Sequence, residues 1–468
     1  MEHLFDKLQA YAREEIYPCH MPGHKRQGWG KLPKELYQLD ITEIEGFDNL
    51  HQPEGILLNL QKKAAEIYGA EESFYLVNGS TCGILSAVSC ALPRGGHLLM
   101  ARNCHRSAYH AAYLRDLKPS YLYPPCLEEY EVFDAVTPLQ VRKALEREPH
   151  IGAVLIVSPT YEGRIADVGA VAEIAHDKGI PLIVDEAHGA HLGLRRGDPP
   201  NSCQLGADLV VHSVHKTLPS LTQTALLHVN GSLVDRERLR RFLHIYQSSS
   251  PSYLLMAGID NALAYVEKDG DRAMDRFQKH MKETRKALRR CRHLKFLPED
   301  GRQDPGKLLI SVKGTNLTGK QLYDILLQEY GLQMEMASGS YALAMFTLND
   351  REEAFRRVTE ALLEIDGRLR EGTENFFRWK EEIFRSCPDA ISLGTAWDRN
   401  TELVPLEGSV GRHGGDFICP YPPGSPLVVP GEVITEEMCR LVRKYIEEGL
   451  SVQGVVLKDE IFVRVIMP

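Results

Sequence analysis

The chain has 468 residues, 43% hydrophobic, 8% aromatic and 25% charged, an ordinary globular composition that excludes a disordered or fibrous protein. At roughly 150 residues per domain this length predicts about three units, or fewer and larger ones in an α/β enzyme. Fifty-five basic against 64 acidic side chains give a net charge of −9, which on average repels nucleic acid and mildly attracts small cations. No run approaches the ~20 apolar residues of a membrane span. The first residues, Met1 to Lys7, lack the apolar core of a secretory signal. Ten cysteines are scattered without a C-x-x-C pair, a spacing that suits neither a zinc ribbon nor a disulfide scaffold. A cytoplasmic protein with reduced thiols and no metal is expected, with no nucleic-acid or membrane partner.

Between about residues 70 and 230 short apolar runs alternate with helical stretches. Strands are predicted at 74–77, 97–100, 153–157, 181–184, 209–211 and 225–229. Most are separated by enough chain for a crossover helix, the signature of an α/β fold with a mainly parallel sheet. The last two lie close together, which places one of them antiparallel at an edge or a switch point. Residues 267–293 are rich in charge at helical spacing and predict a solvated connecting helix. Beyond it, a strand at 307–312 and helices at 319–330 and 351–372 predict a smaller α+β unit. The stretch 405–430 is dense in Gly and Pro, and predicts a long ordered loop because apolar Leu427, Val428 and Val429 lie at its end. The expected division is an N-terminal segment 1–39, a large domain 40–268 and a small C-terminal domain 269–468 that includes this loop.

Two short motifs mislead. Gly314 to Gln321 nearly spells a phosphate-binding P-loop, yet Gln321 stands where a Ser or Thr hydroxyl would ligate Mg²⁺. The plain alternative is a helix N-terminus with an exposed Lys320. Asp185-Glu186-Ala187-His188 spells a helicase acidic box but lies upstream of that loop, the wrong order for a nucleotide hydrolase. His188 and His191 are spaced i, i+3 and lack the glutamate and third ligand of a zincin.

Four other features point to one chemistry. Val77-Asn78-Gly79-Ser80-Thr81-Cys82-Gly83 lies between a strand and a helical run, where free amides and hydroxyls can cradle a phosphate; alone it is no more than a helix cap. The strand at 181–184 ends in Asp185, a carboxylate where α/β sheets bind ligands, or simply a helix N-cap. The strand at 209–211 runs into His212-Ser213-Val214-His215-Lys216. A lysine there is penalised by burial unless its amine is paired or neutralised, and imine formation does the latter. His105, after the strand at 97–100, is either a packed loop histidine or a flat face for an aromatic cofactor. A phosphate cradle, a carboxylate and then a lysine 31 residues further on, all at strand ends, meet the needs of pyridoxal phosphate in order.

These residues resemble the Orn/Lys/Arg decarboxylase family of fold type I pyridoxal phosphate enzymes. The likeness is carried by His20-Met21-Pro22-Gly23-His24-Lys25, Asp40 to Glu43 with Phe47 to His51, the phosphate loop, and Asn103-Cys104-His105-Arg106-Ser107. Ser158 to Gly163, Asp185 to His188, Ser213 to Lys216, and Pro420 to Gly424 with Pro430 to Glu432 complete it. The resemblance implies an aspartate aminotransferase-like large domain and a reaction that turns arginine, lysine or ornithine into its amine and CO₂, as in polyamine-type metabolism. It implies that Lys216 is the Schiff-base lysine, Asp185 the partner of the pyridine nitrogen, and His105 the residue stacked on the ring. Ser80, Thr81, Ser213 and His215 would surround the phosphate, with His188 also at the cofactor. Ser248, Ser249 and Ser250 resemble the segment that reaches a phosphate across a dimer interface, so a homodimer with shared sites is expected. Glu45, Asp48, Glu162 and Glu432 are the candidate readers of the basic substrate tail. The first family motif begins at residue 20, so a wingless short type without high-order rings is expected, and His188 stands where several long members have a tryptophan.

A decarboxylase gains nothing from gripping the departing carboxylate with a fixed arginine, because ground-state binding gives no transition-state advantage. An aminotransferase wants an arginine there. That class is the runner-up, with a non-catalytic cofactor-binding regulator a distant third.

Overall fold

A computed structural model describes residues 2–28, 30–195, 197–372, 390–421 and 424–467. The principal elements in chain order are α1 (Ile56–Tyr68), β1 (Glu72–Leu76), α2 (Gly79–Ala91), β2 (His97–Ala101), α3 (Arg106–Leu114), β3 (Lys118–Leu122), β4 (Ala153–Val157), α4 (Val168–His176), β5 (Leu182–Asp185), β6 (Leu209–His212) and β7 (Ala225–Val229). They continue with α5 (Arg236–Tyr246), α6 (Tyr253–Leu288), β8 (Lys307–Ser311), α7 (Gly319–Tyr330), β9 (Tyr341–Met345), α8 (Glu352–Arg368), β10 (Thr401–Pro405), α9 (Glu436–Glu447) and β11 (Ile461–Ile466). The chain forms two units, residues 1–92 with 168–274, and residues 93–167 with 275–468.

In the first unit the strand order is β1-β7-β6-β5. β5, β6 and β7 are buried at every residue, as apolar runs covered on both faces should be. β5 and β6 are parallel, with Asp185 beside Val211. β7 is antiparallel to both β6 and β1, pairing His212 with Leu226 and Leu76 with Ala225. β1, β5 and β6 therefore point the same way, and their carboxyl ends share one edge with the amino end of β7. Helix α2 lies close over this sheet because Gly83 has no side chain: a Cβ there would stand 2.8 Å from both Leu76 and Val211.

In the second unit β4, β2 and β3 run parallel in that order. β8 pairs antiparallel with β9, and β10 with β11. A core of Leu406, Ile418, Val428, Leu441, Val442, Val463 and Val465 builds the C-terminal part. The α/β class with a mainly parallel sheet and a smaller C-terminal α+β region is the one expected, and β7 is the antiparallel strand.

Differences from the expected elements have local causes. β3 went unpredicted because Lys118-Pro119-Ser120-Tyr121-Leu122 has no apolar run; its proline is tolerated at the end of the strand order. α6 begins at Tyr253, well before residue 267, because its first turns are apolar and packed, so charge periodicity revealed only its later half. The false P-loop is a capping box: Thr318 accepts from the Gln321 N–H and Gln321 accepts from Thr318. Its Gly319 N–H already donates to Gly339, and Lys320 pairs with Asp324. The Gly/Pro stretch holds a 3₁₀ turn at Leu406–Ser409 and a short strand at Cys419–Pro420; Pro422 and Pro423 lie outside the described residues, as does Cys387. Among the described residues no helix is long and apolar enough to cross a membrane, and no cluster of His, Cys, Asp or Glu could hold a metal.

Candidate active site

The shared carboxyl edge of the first unit gathers three of the four predicted features. After β1, Gly79 adopts the left-handed conformation (φ 72°) and its N–H donates to the Gln223 carbonyl at 3.0 Å. The N-cap Asn78 makes no side-chain cap and the first turn of α2 holds no acid. The helix start at Ser80 and Thr81 is thus left to an outside anion. Ser80 is half-buried and Thr81 exposed.

At the end of β5, Asp185 is buried and accepts the Ala187 N–H at 3.2 Å. Burial raises its pKa, against which the Lys216 charge and that N–H act. The turn that follows presents His188, also buried. At the end of β6, Ser213 begins the single turn Val214–Thr217, which carries Lys216. The Lys216 Nζ stands 3.1 Å from His188 Nε2. The amine is half-buried rather than enclosed, so the burial penalty inferred from sequence is partial and is met by the Asp185 charge. His215 is oriented by a 2.8 Å bond from Nδ1 to the Thr224 carbonyl; burial lowers its pKa. Ser213 Oγ is fully buried and has no hydrogen-bond partner among the described residues. An orphaned hydroxyl costs free energy unless something else uses it, and the phosphate of pyridoxal phosphate supplies the missing acceptor. The residues present fit that cofactor.

Gln223 and Thr224 escaped the sequence argument. Gln223 has φ 83°, donates to the Val77 carbonyl at 2.6 Å and receives Gly79, so it ties the phosphate loop to the start of β7. The signal was the antiparallel β7, whose amino end had to fall on this same edge.

In the second unit, His105 is the exposed N-cap of α3, and its Nδ1 accepts the Ser107 N–H at 3.2 Å. That bond puts the neutral ring's proton on Nε2. The four candidate acids differ. Asp48 accepts backbone N–H groups from Asn49, Glu54, Gly55 and Leu57, which hold its pKa down against burial. Glu432 receives Arg102 and the Val429 N–H, both at 2.8 Å. Glu162 is buried beneath a 3.0 Å bond from Tyr341, and burial raises its pKa. Glu45 is exposed. Ser248, Ser249 and Ser250 are exposed, and the Ser248 carbonyl faces His51 Nε2 at 2.7 Å.

A lysine past one strand, a carboxylate past its parallel neighbour and an uncapped helix start past a third define the class, a fold type I pyridoxal phosphate enzyme. The family models "Orn/Lys/Arg decarboxylase, major domain" and "Orn/Lys/Arg decarboxylase, C-terminal domain" match residues 2–329 and 377–451. The arginine decarboxylase of Bacillus subtilis is 32% identical over 466 residues, covering 96% of this chain and 95% of that protein. That of Bacillus anthracis is 30% identical over 465 residues, covering 96% and 94%. The solved lysine decarboxylase of Francisella novicida shares the fold at TM-score 0.82 and 16% identity, covering 99% of this chain and 81% of the other. The chain belongs to the Orn/Lys/Arg decarboxylase family, and it is a pyridoxal phosphate-dependent decarboxylase.

Proposed function

We propose that the protein removes the α-carboxylate of a basic L-amino acid as CO₂ and leaves the amine, with arginine the foremost substrate. The observation that carries the assignment of residues is the Lys216–His188 contact of 3.1 Å within the field of Asp185. Arginine is favoured because the relatives near 30% identity over almost the whole chain are named arginine decarboxylases.

When bound, pyridoxal phosphate supplies an aldehyde that condenses with amines and a protonated ring that withdraws electrons from the α-carbon. Lys216 is the amine that holds the cofactor between turnovers, and His188 Nε2 is the adjacent base that can carry a proton for Nζ. The Asp185 carboxylate holds a proton on the pyridine nitrogen. The α2 start at Ser80 and Thr81, the Ser213 hydroxyl and His215 hold the phosphate. His105 offers a ring face, and its Nε2–H is the donor it can present. Of the four acids, exposed Glu45 keeps acceptor capacity for a guanidinium, whereas Asp48, Glu162 and Glu432 are engaged within their own units. A homodimer completes the site, with Ser249 and Ser250 of one chain reaching the phosphate held by the other.

Incubating the purified protein and cofactor separately with arginine, lysine and ornithine, without any keto acid, tests the assignment. Stoichiometric CO₂ and amine, fastest from arginine, is the expected result. Turnover that requires a keto-acid acceptor would make it an aminotransferase. Mixing Lys216→Ala with a variant bulky at Ser249 and Ser250 tests the shared site. Mixed dimers should recover at most about half of the activity, one site in two being intact. No recovery despite subunit exchange would place the serines outside the neighbour's site.

A further inference from the structure

Behind the catalytic edge lies a set of buried polar groups that cofactor chemistry leaves unused. Glu186 follows β5, His212 ends β6, His228 lies in β7 and Ser73 in β1, so the four residues cross the strand order one strand at a time. Glu186 Oε2 is 2.7 Å from His212 Nε2, His212 Nδ1 is 3.0 Å from His228 Nε2, and His228 Nδ1 is 2.6 Å from Ser73 Oγ. None of the four is more than 5% exposed. Ser202 closes the acid end, donating its N–H at 3.0 Å and its hydroxyl at 2.8 Å. Tyr68 of α1 covers both imidazoles with its ring centroid 4.7 Å from each, and its hydroxyl donates to the Ala190 carbonyl.

We infer that Glu186 is a positioning residue for the reaction, clamping the segment from Asp185 to His188 to the end of the strand that leads into the Lys216 turn. The His188 turn starts at Glu186, whose N–H donates to Val211 and whose carbonyl receives the Gly189 N–H. His212 is followed directly by Ser213, the N-cap of the turn that holds Lys216. The Glu186–His212 bond therefore joins the two segments whose side chains meet at 3.1 Å. A one-ångström slip between such segments is enough to cost a large share of a rate.

The row works as a neutral chain. The titratable groups facing Glu186 are His212, His228, His191, Tyr68 and Cys203, all inside the same unit. Burial pushes the Glu186 carboxyl up to about 8 and the His212 imidazole down to about 3, with His228 lowered too. Glu186 then donates from Oε2 to His212 Nε2, His212 from Nδ1 to His228 Nε2, and His228 from Nδ1 to Ser73 Oγ. No charge is buried and each ring nitrogen is satisfied.

This inference rests on Lys216 being the cofactor-linking lysine, and the test separates the two. Glu186→Gln keeps an N–H donor for His212 and an oxygen for Ser202, so kcat should stay within about threefold of the wild-type holoenzyme. Glu186→Leu fills similar space but cuts the link. There kcat should fall by about tenfold or more while KM changes less than about threefold. The pH midpoint of the bound cofactor's visible absorbance should move by about half a unit or more in the Leu variant and stay in place in the Gln variant. A merely structural role would lower thermal stability without moving that midpoint. A folded Leu variant with wild-type midpoint and kcat, or a Gln variant as impaired as Leu, overturns the inference. If the Leu variant does not fold, Ser202→Ala is read instead; it removes one donor to Glu186 and should still shift the midpoint, and an unchanged midpoint overturns the inference. Borohydride treatment of the same samples shows whether the cofactor is fixed to Lys216. A label on another lysine would defeat the underlying assignment, whereas a label on Lys216 beside an unmoved midpoint would defeat only the role of Glu186.

Discussion

Two cations, one in each unit, sit among protein groups in opposite ways. Arg102 is 3% exposed, and its terminal nitrogens donate to Glu432 at 2.8 Å, to the Pro426 carbonyl at 2.6 Å and to the Tyr109 hydroxyl at 3.2 Å. Its partner Glu432 also takes a backbone N–H. Lys216 is half-buried, faces an imidazole nitrogen and feels a carboxylate through space. The first cation is fixed by an ion pair and carbonyls that pin the loop around residues 426–432. The second meets a base that can trade a proton with it, on a flexible stem that can move. Matched buried charge holds structure together; a lysine amine set beside a proton carrier is placed to react.

The largest expected effect breaks the reactive side of this comparison. Lys216→Ala should lower turnover by about four orders of magnitude or more, because the amine at the cofactor's aldehyde is gone. The unfolding midpoint of the cofactor-free protein should barely change. Covalent attachment of the cofactor at another lysine after borohydride, with activity retained, would remove Lys216 from its role. Asp185→Asn comes next. The cofactor should remain bound while decarboxylation slows by about a hundredfold to ten-thousandfold, since the neutral amide no longer favours the ring proton. Near-normal steady-state rates would mean that another acid does this work.

The matched side should break differently. Glu432→Gln leaves the Arg102 charge buried without its counter-charge, and removing one partner of such a pair costs about 3–5 kcal/mol. Lower urea midpoints are expected, with kcat/KM of the folded fraction within about threefold of wild type. A large rise in KM for arginine at unchanged stability would instead make Glu432 a reader of the substrate tail.

The same contrast explains what the sequence made legible. Lys216, Asp185 and the α2 start were visible because strand-end chemistry is local: each follows an apolar run by a few residues. The antiparallel β7 was legible from the short gap that precedes it. Gln223 and Thr224 were not, because their place at the site comes from register between strands rather than from residue type. The Glu186–His212–His228–Ser73 row was hidden for the same reason. Its members are 16 to 155 residues apart, and each alone reads as an ordinary strand residue. Asp48 and Glu432 stand in the sequence as candidate readers of the substrate tail; the backbone N–H groups that engage Asp48 lie within nine residues of it, and the arginine that engages Glu432 lies 330 residues away.

The smallest expected effect concerns pH, and it tests whether the row behind Lys216 keeps a proton that the unfolded chain gives up. The Glu186 carboxyl is raised from 4.5 to about 8 by burial, so the folded state holds a proton that the unfolded chain has lost across that interval. A group of this kind stabilises fully below its unfolded pKa, and the contribution fades as pH climbs through the folded value. His212 is lowered from 6.5 to about 3 by burial, so its contribution is complete above 6.5 and fades as pH falls toward 3. Glutamine at position 186 cannot titrate. Relative to Glu186→Gln, the wild-type protein should therefore lose stability on going from about pH 5 to about pH 8, by roughly 3 kcal/mol. Urea midpoints of both proteins at the two pH values measure this directly. A wild-type-minus-variant difference that is the same at both would show that the folded state has already ionised Glu186 at pH 5. A difference that grows in favour of wild type at the higher pH would mean that the folded state binds fewer protons than the unfolded chain over this range. Either result would remove the proton drawn between Glu186 and His212, and the neutral chain would fail.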